Sequence, residues 1–120
     1  MTKVVSIRMP STLERSIRGN AAWAEMPASN IVRLILMHAP GGRYTFAALP
    51  DVRAYLDTKL DVRLPEDLVS KIHVESERLG ISVSVYSRII LNAYYAKRLV
   101  FLEIGDHYTL AENHDQTESA

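Results

Sequence analysis

The chain is predicted to be mainly α-helical with one two-stranded antiparallel β-ribbon, built from two copies of a strand-helix-helix unit that form an intramolecular pseudo-dimer. Three observations carry that expectation: an internal repeat at constant offset, strict alternation of apolar and polar residues at the head of each copy, and a proline followed by an amphipathic stretch. Residues 3–39 align with residues 58–94 at an offset of 55 without a gap. Arg8 meets Arg63, Pro10 meets Pro65, Leu13 meets Leu68 and Ile17 meets Ile72. Further along, Ser29 meets Ser84, Arg33 meets Arg88, Ile35 meets Ile90 and Leu36 meets Leu91.

Each copy opens on a period of two, as a half-buried strand requires: Val5, Ile7 and Met9 around Ser6 and Arg8, then Leu60, Val62 and Leu64 around Asp61 and Arg63. Pro10 and Pro65 end the alternation. Ser11-Thr12-Leu13-Glu14 then has the spacing of a capping box, which predicts a helix from about residue 11. Its apolar stripe is Leu13, Ile17, Ala21 and Ala24; the second copy uses Leu68, Ile72 and Leu79 and stops at Gly80, a natural left-handed C-terminal residue. A second helix is predicted from near Pro27, and from Ser82 or Ser84 in the other copy. Its expected core positions are Ile31, Leu34, Ile35 and His38 or Ala39, matched by Val85, Ile89, Ile90 and Ala93.

The predicted organisation is a first unit at 1–39, a connection at 40–57, a second unit at 58–98, a segment at 99–111 able to form a short hairpin, and an acidic, disordered tail at 112–120. The connection starts with Pro40-Gly41-Gly42, contains Leu49-Pro50, and has room for a short element around Val52–Leu56. In the hairpin segment, Leu99–Ile104 and His107–Ala111 flank Gly105-Asp106. Tyr108-Thr109-Leu110-Ala111 echoes Tyr44-Thr45-Phe46-Ala47, hinting at a similar strand after each unit. Trp23 is expected to pack on the helix surface, and Tyr94, Tyr95 and Phe101 to serve as core or oligomer contact.

The 120 residues suit one domain, and 48 % hydrophobic with 23 % charged residues is ordinary for a soluble globular protein. No apolar run is long enough to span a bilayer, and Met1 to Pro10 lacks the apolar stretch of a signal peptide, so a cytoplasmic location without membrane association is expected. The absence of cysteine excludes disulfides, thiolate metal sites and cysteine nucleophiles. A formal charge of zero argues against a polyanion partner until its distribution is read. Residues 103–120 hold Glu103, Asp106, Glu112, Asp115 and Glu118 and no Lys or Arg, so residues 1–102 carry +5 and the end −5.

A strand with two amphipathic helices cannot satisfy its strand edge alone, whereas two copies can pair their strands over a shared four-helix core. The outward face of such a ribbon consists of Val4, Ser6 and Arg8 beside Lys59, Asp61 and Arg63. A two-stranded ribbon fits the major groove, where Arg and Lys donate to guanine O6 and N7. The starts of the second helices, with Ser29 and Asn30 in one copy and Ser84 and Val85 in the other, carry free amides suited to phosphate. His73 and Glu77 are a weak metal pair without further ligands, and no catalytic constellation, metal site or cofactor loop is found in the sequence.

This order, an alternating strand with Arg, an apolar residue, Pro, a helix, a small turn and a Ser-started second helix, resembles the ribbon-helix-helix family of Arc and MetJ-type repressors. The resemblance covers residues 3–39 and 58–98, and two units in one chain resemble TraY-type conjugative relaxosome proteins. It implies a non-enzymatic, sequence-specific binder of double-stranded DNA, a repressor or a transfer-origin accessory factor of a bacterial or mobile element. By position, the family's base-facing residues fall on Val4, Ser6 and Arg8 and on Lys59, Asp61 and Arg63. The chain departs from the pattern in three places: Val4 offers only apolar contact, Asp61 is acidic and must accept from cytosine N4 or pair with a neighbouring Arg, and Glu25 stands where the second copy has Gly80. The resemblance also implies a self-sufficient monomer able to associate on DNA. The alternative is an antitoxin-like or inhibitor module, with the acidic tail binding a protein partner.

Overall fold

The computed structural model describes residues 1–51 and 55–114. Its elements run β1 (Thr2–Met9), α1 (Ser11–Trp23), α2 (Ala28–Met37), a 3-10 turn (Phe46–Ala48), β2 (Thr58–Pro65), α3 (Glu66–Leu79), α4 (Val83–Tyr95), β3 (Leu99–Ile104) and β4 (His107–Glu112). The four helices pack with two separate two-stranded antiparallel sheets, β1-β2 and β3-β4. The helix starts keep the repeat's offset: Ser11 and Glu66 are 55 residues apart, as are Ala28 and Val83. The hairpin expected at the C-terminal end is present, one residue longer than the sequence suggested.

In the β1-β2 ribbon, Ile7 and Met9 from one strand and Leu60, Val62 and Leu64 from the other are buried and Val5 is half-buried, while Val4, Ser6, Arg8, Lys59, Asp61 and Arg63 are exposed. The helices cover the apolar face crosswise. α4 packs on β1 and α2 on β2, so each second helix rests on the strand of the other unit. One continuous core results, running from Ile7 and Leu60 through Ile17, Ile35 and Ile90 to Leu99 and Leu110 of the hairpin.

That crossing explains one difference from the expected helix stripe. Leu34 is 41 % exposed, while Val32 and Leu36 are fully buried; in α4 the buried set extends to Tyr86, Ser87 and Leu91. A helix touching its own partner helix on one side and a foreign strand on another buries two faces, whereas local periodicity reports one. Trp23 is 85 % exposed at the end of α1 and does not pack as expected.

The helix ends also differ from expectation. Pro10 is the N-terminal cap of α1, and neither Ser11 nor Glu14 makes a side-chain capping bond. Instead the Ser11 amide donates to Asp57 Oδ1 at 2.9 Å, from the connection, and Glu14 accepts from Arg18 and Thr58. These amide contacts hold the Asp57 carboxyl below the usual aspartate range. α3 ends as predicted: Gly80 takes φ 72°, and the Ile81 amide closes on Ser76 O. Glu25, at the matching position of the first unit, adopts φ 55°, and Met26 N closes on Ala21 O in the same way. The turn geometry is conserved between units although the glycine is not.

The connection lies against the body. Tyr44 Oη donates to Ala39 O at 2.7 Å, Phe46 stacks on Tyr86 at 5.3 Å, and Arg43 forms a parallel bridge with Ala111. Burial pushes the Tyr44 hydroxyl well above its ordinary pKa. The echo between Tyr44–Ala47 and Tyr108–Ala111 is therefore not an echo of structure, because only the latter lies in a strand. Of the short element expected around Val52–Leu56, residues 52–54 fall outside the described residues, as do residues 115–120 of the expected tail. Among the described residues no helix is long and apolar enough to cross a membrane.

Candidate nucleic-acid interface

The ribbon register brings all six predicted groove-facing residues onto one exposed face. Arg8 lies opposite Lys59, Ser6 opposite Asp61, and Val4 opposite Arg63. Ser6 and Asp61 are separated by the repeat offset itself, so the local two-fold relating the strands passes between them. In an antiparallel pair, opposite residues project to the same side, and the face is read as three successive cross-strand pairs.

Chemically the pairs are unlike. One end has two cations side by side, the other has Arg63 next to Val4, which is 54 % exposed. At the centre, Ser6 Oγ donates to Asp61 Oδ1 at 2.6 Å. The acid is thus engaged by a hydroxyl across the ribbon rather than by a neighbouring Arg, and keeps a second oxygen for an outside donor. The side chains of Arg8, Lys59 and Arg63 make no ion pair among the described residues. Three cations that no described carboxylate pairs with face outward beside one carboxylate that is already hydrogen-bonded.

Arg8 is held from behind by α4. Its amide donates to Ser84 Oγ at 3.2 Å, and its carbonyl accepts from Arg88 Nη1 at 3.3 Å. Arg88 is itself fixed by Asp51, with Nε to Oδ1 and Nη2 to Oδ2 both at 2.8 Å. This bidentate pair is nearly sealed from water, with the side chains 6 % and 11 % exposed. It was not foreseen from the sequence. The identity of Arg33 and Arg88 in the repeat was the available signal, but Arg33 makes no ion pair among the described residues, so the repeat alone could not reveal the role.

The four predicted phosphate-anchor residues are unequal. At the start of α4 the Val85 amide is already taken by Ser82 Oγ at 3.1 Å, so the amides left over are those of Val83 and Ser84. This corrects the expectation for Val85. Ser84 lies against the ribbon through its bond from Arg8. At the start of α2, Pro27 caps without a side-chain bond, and the Asn30 amide donates to Pro27 O, leaving the amides of Ala28 and Ser29 and the side chains of Ser29 and Asn30.

His73 Nε2 and Glu77 Oε2 are 3.6 Å apart and both exposed, and no third acidic or histidine ligand joins them among the described residues. His38 is half-buried, with Nδ1 3.1 Å from the Tyr108 carbonyl.

Comparison with protein-family models, curated proteins and solved structures finds no match for this chain. The reading of the ribbon therefore stands on its own geometry.

Proposed function

We propose that the chain is a single-chain ribbon-helix-helix pseudo-dimer that binds a specific duplex DNA site with the β1-β2 ribbon in the major groove. In this reading it acts as a repressor or as an accessory factor at a transfer origin. The observation that carries the reading is the exposed ribbon face, where Arg8, Lys59 and Arg63 have no ion-pair partner among the described residues while the opposite face is sealed into the core. Cations on a solvent-facing ribbon of this width suit the acceptor edges of guanine. α2 and α4 pack on the ribbon, with Ser84 at the start of α4 bonded to Arg8, and their starts supply amides for the flanking phosphates.

The unequal pairs specify an asymmetric site. The Arg8-Lys59 end favours guanine O6 and N7, the Ser6-Asp61 centre accepts from cytosine N4 or adenine N6, and the Val4-Arg63 end combines a thymine methyl contact with a guanine. Selection of bound sequences from a random duplex pool should enrich a non-palindromic site. On that site Arg8→Ala and Arg63→Ala should each lower affinity by about 10- to 100-fold at fixed salt, from the worth of a lost bidentate base contact. Unchanged affinity and unchanged site preference in the double variant would refute the reading.

A further inference from the structure

The hairpin β3-β4 has one covered edge and one bare edge. On β4, the Leu110 amide donates to His38 O, its carbonyl accepts from Arg43 N, and the Glu112 amide donates to Arg43 O. The far side of β4 is thus closed by the connection. Leu110 lies opposite Phe101, and Glu112 opposite Leu99, so Leu99, Phe101 and Glu103 turn their backbone groups away from β4. Among the described residues no hydrogen bond is made to those outward backbone groups of β3.

The strand reads Leu-Val-Phe-Leu-Glu-Ile, and Val100, Phe101 and Leu102 are 36 %, 38 % and 38 % exposed. Apolar residues are therefore open on both faces of a bare edge, without the proline, bulge or inward charge by which proteins protect such strands. Beside it, Leu34, His38, Phe101 and Tyr108 line a shallow cleft of about 290 Å³ that extends the apolar surface. The ring of Phe101 lies edge-on between His38 and Tyr94, each 5.4 Å away.

We propose that this edge pairs antiparallel with the same edge of a second copy, joining two hairpins into one four-stranded sheet. The choice of a second copy rests on charge. Lys97 and Arg98 precede the strand, while Glu103 and Asp106 lie at its end, all exposed. Antiparallel pairing about a two-fold sets the basic end of each strand against the acidic end of the other, twice, whereas parallel pairing sets like against like. The chain's formal charge of zero adds no net repulsion between copies. This inference is independent of the DNA-binding reading.

Sedimentation velocity on the full chain without DNA tests it. The expected result is a dimer at micromolar concentration, weakened about ten-fold or more by Leu102→Lys, with circular dichroism and melting showing that this variant stays folded. Lys97→Glu with Arg98→Glu should weaken association, as should Glu103→Lys with Asp106→Lys, and all four together should restore it. Because the chain lacks cysteine, Val100→Cys, Phe101→Cys and Leu102→Cys form a clean series. A two-fold places one of the three opposite itself, and that variant should cross-link most readily on mild oxidation. A monomeric parent chain overturns the proposal, as does a dimer indifferent to Leu102→Lys and to the charge reversals.

Discussion

Asp51→Ala removes the carboxylate that holds Arg88, and the cost can be worked from the geometry. The guanidinium makes two 2.8 Å bonds to Asp51 and one of 3.3 Å to the Arg8 carbonyl, in a site where its side chain is 6 % exposed. Removing one member of a buried pair leaves the other charge desolvated and uncompensated, which typically costs about 3–5 kcal/mol. That is a large part of the roughly 5–15 kcal/mol by which a domain is stable. With an unfolding entropy of about 2.1 cal/mol/K per residue over 120 residues, the loss corresponds to a Tm lower by about 12–20 °C. Urea denaturation and thermal melts on Asp51→Ala, Arg88→Met and the double variant give the coupling directly. The double variant should recover much of what Asp51→Ala loses, because the orphaned charge goes with its partner. A drop of less than about 4 °C for Asp51→Ala, or strictly additive losses, would show that the pair is not the clamp its geometry describes.

Three other outcomes are expected. Glu25→Gly relieves an L-residue from φ 55° in the turn where the other unit has Gly80, and should raise stability by about 1 kcal/mol, read as a Tm about 4 °C higher. Asp57, whose carboxyl is held low by the Ser11 amide, stabilises the fold above the ordinary aspartate pKa and loses that contribution as pH falls through its depressed folded value. The gap in Tm between the parent and Asp57→Ala should accordingly be widest near neutrality and close in acid; a gap independent of pH would contradict the charged cap. Ser87 Oγ is buried without a hydrogen-bond partner among the described residues, so Ser87→Ala should be neutral or stabilising by up to about 1 kcal/mol in the same denaturation assay.

The strands and helix starts were legible because their causes are local. Alternation around Ser6 and Asp61 places Ile7 and Val62 inward, and a proline before each first helix sets its start to the residue. The six ribbon residues were legible for the same reason, since an outward face of a strand is every second residue. What escaped depends on partners distant in sequence. The motif Ser11-x-x-Glu14 has the spacing of a capping box, but Pro10 occupies the cap position and Asp57, 46 residues on, satisfies the amide. Leu34 and Leu36 are indistinguishable by hydropathy, and the packing of α2 against α1, β2 and α4 decides which is buried. Val85 is the local exception: Ser82, three residues before it, caps its amide. The Arg88-Asp51 clamp joins α4 to the connection, and neither residue carries a local mark of the other.

The crosswise seating of α2 on β2 and of α4 on β1 has a consequence for how the chain comes off the ribosome. The first unit cannot complete itself when it emerges, since the strand that α2 covers is made later and the helix that covers β1 later still. At about 5–20 residues per second, the 55 residues to the matching position of the second unit take roughly 3–11 s. During that interval α1 and α2 can pack on each other, but Ile7 of β1 and the strand-facing side of α2 lack the α4 and β2 surfaces that cover them in the finished fold. Folding is therefore gated by synthesis of the second half, and a chain stopped after α2 is an aggregation hazard rather than a smaller version of the same protein.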